Sequence, residues 1–269
     1  MFAADAKTLS RIEPVVRRVL IADPNAASAR LLQDILKTMG AREIITEAEE
    51  HRVLDHAREL EPGLIFTERS GPRLDGEQLA RKIRRSNLAC RQSPIIMMTA
   101  DATASSIKGA RDAGIHEFLR KPFTSADLFR RVENVALKPR DWIEAVGYVG
   151  PDRRRFNSGE YAGPQKRKAD KPTTAAAAVA AVKDQAMRIL AASLGQFDSD
   201  PPQAIRAIRQ QAETLKALAV KTSDTRLAVA AAGLEGSLAS GRSTVVTLAG
   251  PIGAILELAD PGTQLKRAG

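Results

Sequence analysis

Short apolar runs alternate with helical spacings through the first half of the chain. Val19-Leu20-Ile21-Ala22 is a continuous apolar run with β-branched members, closed by Asp23-Pro24-Asn25. It reads as a buried strand, and Leu31, Leu32, Ile35 and Leu36 then follow at helical spacing up to Gly40. The alternation recurs. Ile44-Ile45, Leu64-Ile65-Phe66, Ile95-Ile96-Met97-Met98 and Phe118-Leu119 are strand cores. Val53/Leu54/Ala57/Leu60, Leu79/Ile83, Ile107/Ala110/Ala113 and Leu128/Val132/Val135 are the helical faces between and after them. Five β–α units with unbroken apolar strands predict an α/β fold, a five-stranded parallel doubly wound sheet covered on both faces. Chemistry in such a sheet collects at the carboxyl ends of the strands.

The pattern breaks from about Pro139 to Pro172, a stretch rich in Gly and Pro that holds Trp142, Tyr148 and Tyr161. Helical spacing resumes at Thr173 and gives four stripes, on Val179/Val182/Ala186/Ile189/Leu190, Ile205/Ile208/Ala212/Leu215/Ala219, Leu227/Ala231/Leu234/Leu238 and Val246/Ile252/Ile255/Leu256. Asp200-Pro201-Pro202 opens the second stripe as a cap with proline in the first turn. Pro251 is expected to kink or split the fourth. The expected second half is an all-α four-helix bundle. The domain reading is an N-terminal extension over 1–17, the α/β domain over 18–138, a basic linker over 139–172, the bundle over 173–262 and a tail over 263–269.

Composition narrows the classes. With 269 residues and 43% apolar residues the chain can bury two cores. A single cysteine, Cys90, excludes an internal disulfide, and no Cys/His cluster points to zinc. No apolar leader or membrane-length run is present, so a reducing cytoplasm is the simplest expected compartment. The net charge of +9 is partly concentrated between Pro151 and Pro172, where Arg153, Arg154, Arg155, Lys166, Arg167, Lys168 and Lys171 face Asp152, Glu160 and Asp170. That segment reads in three ways: contact with nucleic acid through Arg153, Arg154 and Arg155, docking on an acidic partner, or, as the favoured reading, a solvated linker whose aromatics lie on the flank of the first domain. No recognisable DNA-reading module is present.

The strand ends carry the chemistry. Asp23 follows the first strand, Glu68 ends the third, Thr99-Ala100 ends the fourth, and Lys121-Pro122-Phe123 follows the fifth. Two carboxylates, a hydroxyl and an ammonium in one cleft can hold a phosphoryl group and a divalent cation. The ordered set Val19–Asp23, Glu61–Glu68, Pro72-Arg73-Leu74-Asp75-Gly76, Pro94–Ala100, Asp112-Ala113-Gly114 and Lys121-Pro122-Phe123 resembles the receiver domain of bacterial response regulators over Arg18 to Leu137. The resemblance makes Glu68 the phosphoacceptor-equivalent residue, Asp23 the remaining member of the acidic pocket, and Thr99, Lys121 and Phe118 the phosphate-contacting and switch positions. Phe118 is equally well read as a core residue.

The departures from the family shape the expectation. Glu68 stands where the family has aspartate, and Pro24 stands where it has a second acid, the direct metal ligand. Magnesium bound through Asp23 and Glu68 is therefore expected to be weak or absent. The longer side chain of Glu68 reaches roughly 1.5 Å further, about one C–C bond, and should pair with Lys121 and accept from Thr99. The bundle resembles a histidine phosphotransfer domain through Ala212-Glu213-Thr214-Leu215-Lys216-Ala217 and Leu234-Glu235, with Glu213 in place of the histidine and Lys216 retained. Glu213 and Lys216 are spaced for an i,i+3 pair. Together these resemblances imply a non-catalytic regulator or adaptor in a two-component phosphorelay, a pseudo-receiver that meets a histidine kinase, phosphotransfer protein or response regulator, with self-association as a further option. No other cofactor, no enzyme chemistry and no membrane partner is expected. The alternatives are a response regulator phosphorylated on Glu68 and a nucleic-acid-binding regulator acting through the basic linker.

Overall fold

The computed structural model describes residues 5–153, 174–241 and 243–259. Two compact units are present: one built on the chain up to Ile143 and again from Tyr148, the other on Glu144–Gly147 and the later helices.

The first unit opens with α1 (Ala6–Val16), capped by the Asp5 side chain. The sequence reading placed this stretch in an extension; instead Ile12 and Val16 are fully buried in a cluster with Leu36, Leu64, Val132 and Val135. The unit continues through β1 (Arg18–Ala22), α2 (Ala26–Thr38), β2 (Glu43–Glu47), α3 (Glu50–Leu60) and β3 (Leu64–Glu68). A short hairpin, β4 (Ser70–Gly71) with β5 (Leu74–Asp75), leads into α4 (Gly76–Arg85). Next come β6 (Ile95–Thr99), α5 (Ala104–Asp112), β7 (Glu117–Arg120) and α6 (Ser125–Leu137). The five-stranded sheet runs β2-β1-β3-β6-β7, and every pairing in it is parallel. One face of the central strands buries Val19, Ile21, Phe66, Ile96 and Met98 with α1, α2 and α6. The other buries Leu20, Ile65, Ile95 and Met97 with α3, α4 and Phe118. Covering on both faces is why these strands read as unbroken apolar runs.

The stretch after α6 does not behave as a solvated linker throughout. Trp142–Glu144 and Val149–Pro151 form a two-stranded β8–β9 ribbon. Its anchor in the first unit is Arg84, a fully buried arginine at the end of α4. Arg84 donates to the carbonyls of Gly114 (Nε, 3.0 Å), Arg91 (Nη1, 2.7 Å) and Ser93 (Nη1, 2.8 Å), and its Nη2 lies 3.0 Å from Nδ1 of His116. Its guanidinium sits 5.4 Å from the centroid of the Trp142 ring. Burial pulls this guanidinium down from 12.5 to about 9. Burial also holds His116 well below its ordinary 6.5, so it serves as a neutral acceptor. Gly114 closes the site: its φ of +84° suits glycine, and a Cβ there would lie 2.8 Å from the Val149 carbonyl oxygen. Tyr148 is buried and donates to the Pro151 carbonyl at 2.6 Å. Arg153 lies over the Tyr148 ring and pairs with Asp112 at 3.1 Å. The favoured reading of flank-packed aromatics thus describes Trp142 and Tyr148; Arg154, Arg155 and Tyr161 lie outside the described residues.

The second unit is all helical: α7 (Ala175–Gly195), α8 (Pro201–Thr222), α9 (Thr225–Ala239) and α10 (Val245–Leu256). Asp200 caps α8, with proline at its first positions. Pro251 neither splits nor ends α10, which stays one helix from Val245 to Leu256. The core joins Leu190, Ile208, Leu215, Leu234, Leu248 and Ile252. Val146 packs into the same cluster, and the buried Glu144 carboxylate accepts from Gln203 Nε2 at 2.8 Å.

Arg84→Met nearly keeps the side-chain volume and leaves one buried and two partly buried carbonyls without their donor. Urea unfolding should show a loss of about 3 kcal/mol, and the emission of Trp142 should shift to the red. An unchanged midpoint would show that the anchor contributes nothing.

Candidate functional site

Strand order and register bring four chain ends to one edge. Asp23 follows β1, Glu68 ends β3, Thr99 ends β6 and Lys121 follows β7. The pairs Ala22↔Thr67, Glu68↔Met98 and Thr99↔Arg120 align those ends along the carboxyl edge of the sheet.

Lys121 is the centre of the cleft. Its Nζ donates to Asp23 Oδ2 at 2.8 Å and to Glu68 Oε2 at 2.5 Å. The side chains are 20%, 1% and 15% exposed for Lys121, Asp23 and Glu68, so the triad is largely withdrawn from water and the charges act in a reduced dielectric. The remaining carboxylate oxygens also carry donors: Asp23 Oδ1 accepts from the Asn25 N–H at 2.8 Å, and Glu68 Oε1 from the Arg69 N–H at 2.9 Å. Burial acts to lower the Lys121 ammonium, but the hydrogen bonds to Asp23 and Glu68 outweigh it and hold Lys121 above its ordinary 10.5.

Thr99 is brought to the same edge but not to Glu68. Its Oγ1 accepts from the Asp101 N–H at 3.1 Å, which corrects the expected Thr99–Glu68 hydrogen bond. No hydrogen bond links Thr99 to Glu68 among the described residues. Phe118 is 2% exposed within the cluster of Leu79, Ile83, Ala110 and Ile115. Pro24 is covered by the β4–β5 hairpin: a Cβ on Gly71 would fall 2.4 Å from Pro24 Cγ.

A hard divalent cation needs six or more oxygen ligands, and magnesium wants near-octahedral geometry. Waters can fill most of that shell, but both carboxylates that would anchor it, Asp23 and Glu68, are engaged by the Lys121 ammonium, and the proline at position 24 offers no ligand, so these residues fit a magnesium ion poorly. Among the described residues no group of three His, Cys, Asp or Glu could hold a metal ion.

In the helical unit, Glu213 and Lys216 lie exposed on α8. Lys216 reaches across to Glu235 of α9 at 2.6 Å rather than pairing with Glu213. The two motif pieces of the sequence reading, 212–217 and 234–235, are thus joined by an ion pair. Sequence reasoning missed the ion pairs that Arg69, next to Glu68 in the chain, makes with Glu77 and Asp101. Their contacts cross 8 to 32 positions and leave no local pattern.

A parallel five-stranded sheet with an acid–lysine cleft at its carboxyl edge defines a receiver-type domain. Residues 19–133 match the response regulator receiver domain family model. The transcriptional regulatory protein PdtaR of Mycobacterium tuberculosis is 35% identical over 145 residues, covering 54% of this chain and 68% of that protein. The sensor protein GacS of Pseudomonas syringae is 29% identical over 195 residues, 71% of this chain and 20% of that protein. A two-component response regulator structure from Clostridium difficile aligns with a TM-score of 0.41 at 25% identity, covering 45% of this chain and 96% of that one. The chain belongs to the response regulator receiver family of two-component signalling. Domains of this family are signalling regulators that work with histidine kinases, phosphotransfer proteins and other regulators. No helix among the described residues is long and apolar enough to cross a membrane.

Because Lys121 is held above 10.5, its contribution to stability is complete below that pH and is lost as pH rises through the folded value. Unfolding free energy should therefore be level in this contribution up to about pH 10 and then fall. Lys121→Met should be less stable by about 1–3 kcal/mol at neutral pH and should lack the alkaline fall. Denaturant melts of both proteins across that range check the prediction.

Proposed function

We propose that the chain is a pseudo-receiver adaptor: a signalling protein whose phosphoacceptor cleft is closed by its own Glu68–Lys121–Asp23 bridge. The observation that carries this reading is the pair of contacts from Lys121 Nζ to Asp23 Oδ2 and Glu68 Oε2. A phosphoryl group brings negative charge that must be met by a cation and a lysine. Here the lysine is committed to two carboxylates, and the position of the second acid holds Pro24. The cleft is then a fixed state of the domain, and the output is a surface rather than a transfer step. Adaptor function also agrees with the helical unit. Glu213 stands where a phosphotransfer histidine would be, and a carboxylate does not form the phosphoramidate of that relay. The exposed face around Lys216 and Glu235 keeps a docking shape without a nucleophile. The partners on this reading are a histidine kinase, a phosphotransfer protein or a response regulator.

Incubation of the whole chain with acetyl phosphate and magnesium, followed by intact-mass analysis, tests the closed cleft. No phosphoryl adduct is expected. An adduct that Glu68→Gln abolishes would instead establish the phosphorylated response regulator. Docking is checked by capture from the native cell extract. Two-component proteins should be retained, and Lys216→Glu should reduce their retention about tenfold, the effect of one central interface residue.

A further inference from the structure

A second set of contacts leads from the cleft into α5. The Arg69 N–H donates to Glu68 Oε1, the carboxylate that Lys121 holds from its other oxygen. The Arg69 guanidinium meets two further carboxylates: Nη1 donates to Asp101 Oδ2 at 2.7 Å, and Nε lies 3.6 Å from Glu77 Oε1 at the start of α4. Asp101 sits in the turn between β6 and α5. Its N–H donates to Thr99 Oγ1, and its carbonyl accepts from Ser106 Oγ at 2.9 Å. Ser106 is fully buried in the first turn of α5. Glu77 presses on the same helix further along, because a Cβ on Gly109 would fall 2.5 Å from its Oε1. The path from Lys121 through Glu68, Arg69 and Asp101 to the first turn of α5 is continuous.

We propose that Arg69 is a positioning residue that carries the state of the Glu68–Lys121 pair to α5 and holds the β6–α5 turn in one arrangement. This rests on the closed-cleft reading and gives that cleft an output route. The route does not run through a Thr99–Glu68 hydrogen bond: Thr99 Oγ1 accepts from the Asp101 N–H, and Glu68 Oε1 and Oε2 accept from the Arg69 N–H and Lys121 Nζ. A planar guanidinium suits the task because its fork meets two carboxylates at once while its backbone answers to a third. The Arg69–Asp101 pair is 30% and 55% exposed, so each contact alone is weak and the coupling lies in the network.

Amide hydrogen exchange of the whole chain reads the effect, with α2 as the internal control. Arg69→Gln should speed exchange over Asp101 to Ile107 about threefold, the size expected of a partly exposed ion pair, and leave α2 unchanged. Asp101→Asn should give the same local change from the other end. Glu68→Gln should also speed exchange there, but should add nothing in the Arg69→Gln background. Unchanged exchange in Arg69→Gln and Asp101→Asn, or increments that simply add, would overturn the proposal. The phosphoadduct assay reports separately. A chain that takes phosphate yet shows non-additive exchange keeps the route and loses the closed cleft. A chain that refuses phosphate yet shows additive exchange loses the route alone.

Discussion

The ammonium of Lys121, held between the carboxylates of Asp23 and Glu68, is the constraint on which the rest of this cleft depends. A parallel sheet delivers two acids to one largely buried edge, and two like charges there need a cation. In this chain the cation is covalent and permanent. Once it is supplied from within, a metal ligand at position 24 has no work to do, and a proline ring can stand there against the β4–β5 hairpin. The extra methylene of Glu68 lets its carboxylate meet Lys121 while its other oxygen fixes the Arg69 backbone. Glu68 and Pro24 thus form one consistent solution around the retained Lys121 rather than two separate losses.

The two units share a theme under the proposed reading. On that reading each carries a glutamate at the position of the reactive residue, Glu68 one methylene longer than the aspartate of the receiver family and Glu213 in place of a phosphotransfer histidine. Each retained lysine is bound to an acid, Lys121 to Asp23 and Glu68, Lys216 to Glu235.

Much of the fold was legible because burial on both sheet faces writes itself into the sequence as continuous apolar runs, as at Val19–Ala22 and Ile95–Met98. The site followed from strand ends alone, since order and register place Asp23, Glu68, Thr99 and Lys121 together. What was not legible has physical reasons. The helix α1 carries Pro14 and a mixed polar face, so its Ile12 and Val16 looked like part of an extension although they are fully buried. The β8–β9 ribbon is made of three-residue strands, too short to show a period of two, in a stretch whose Gly and Pro signal a linker. Arg84 sits in a run of basic residues that reads as a solvated face, and only its contact with Gly114, thirty positions on, reveals a buried anchor. The Thr99 hydroxyl was expected on Glu68 because both residues end strands at one edge; the turn in which it accepts from the Asp101 N–H is one that apolar periodicity does not describe.

The most direct measurement is an NMR titration of the whole isotope-labelled chain with magnesium and beryllofluoride, following the amides of Asp23, Glu68, Thr99 and Lys121. A cleft closed by its own ammonium predicts that these four resonances stay in place at concentrations that saturate an ordinary carboxylate magnesium site. Saturable shifts centred on Glu68 and Lys121 would mean that the bridge opens to admit a cation and a phosphoryl analogue, and would contradict the account.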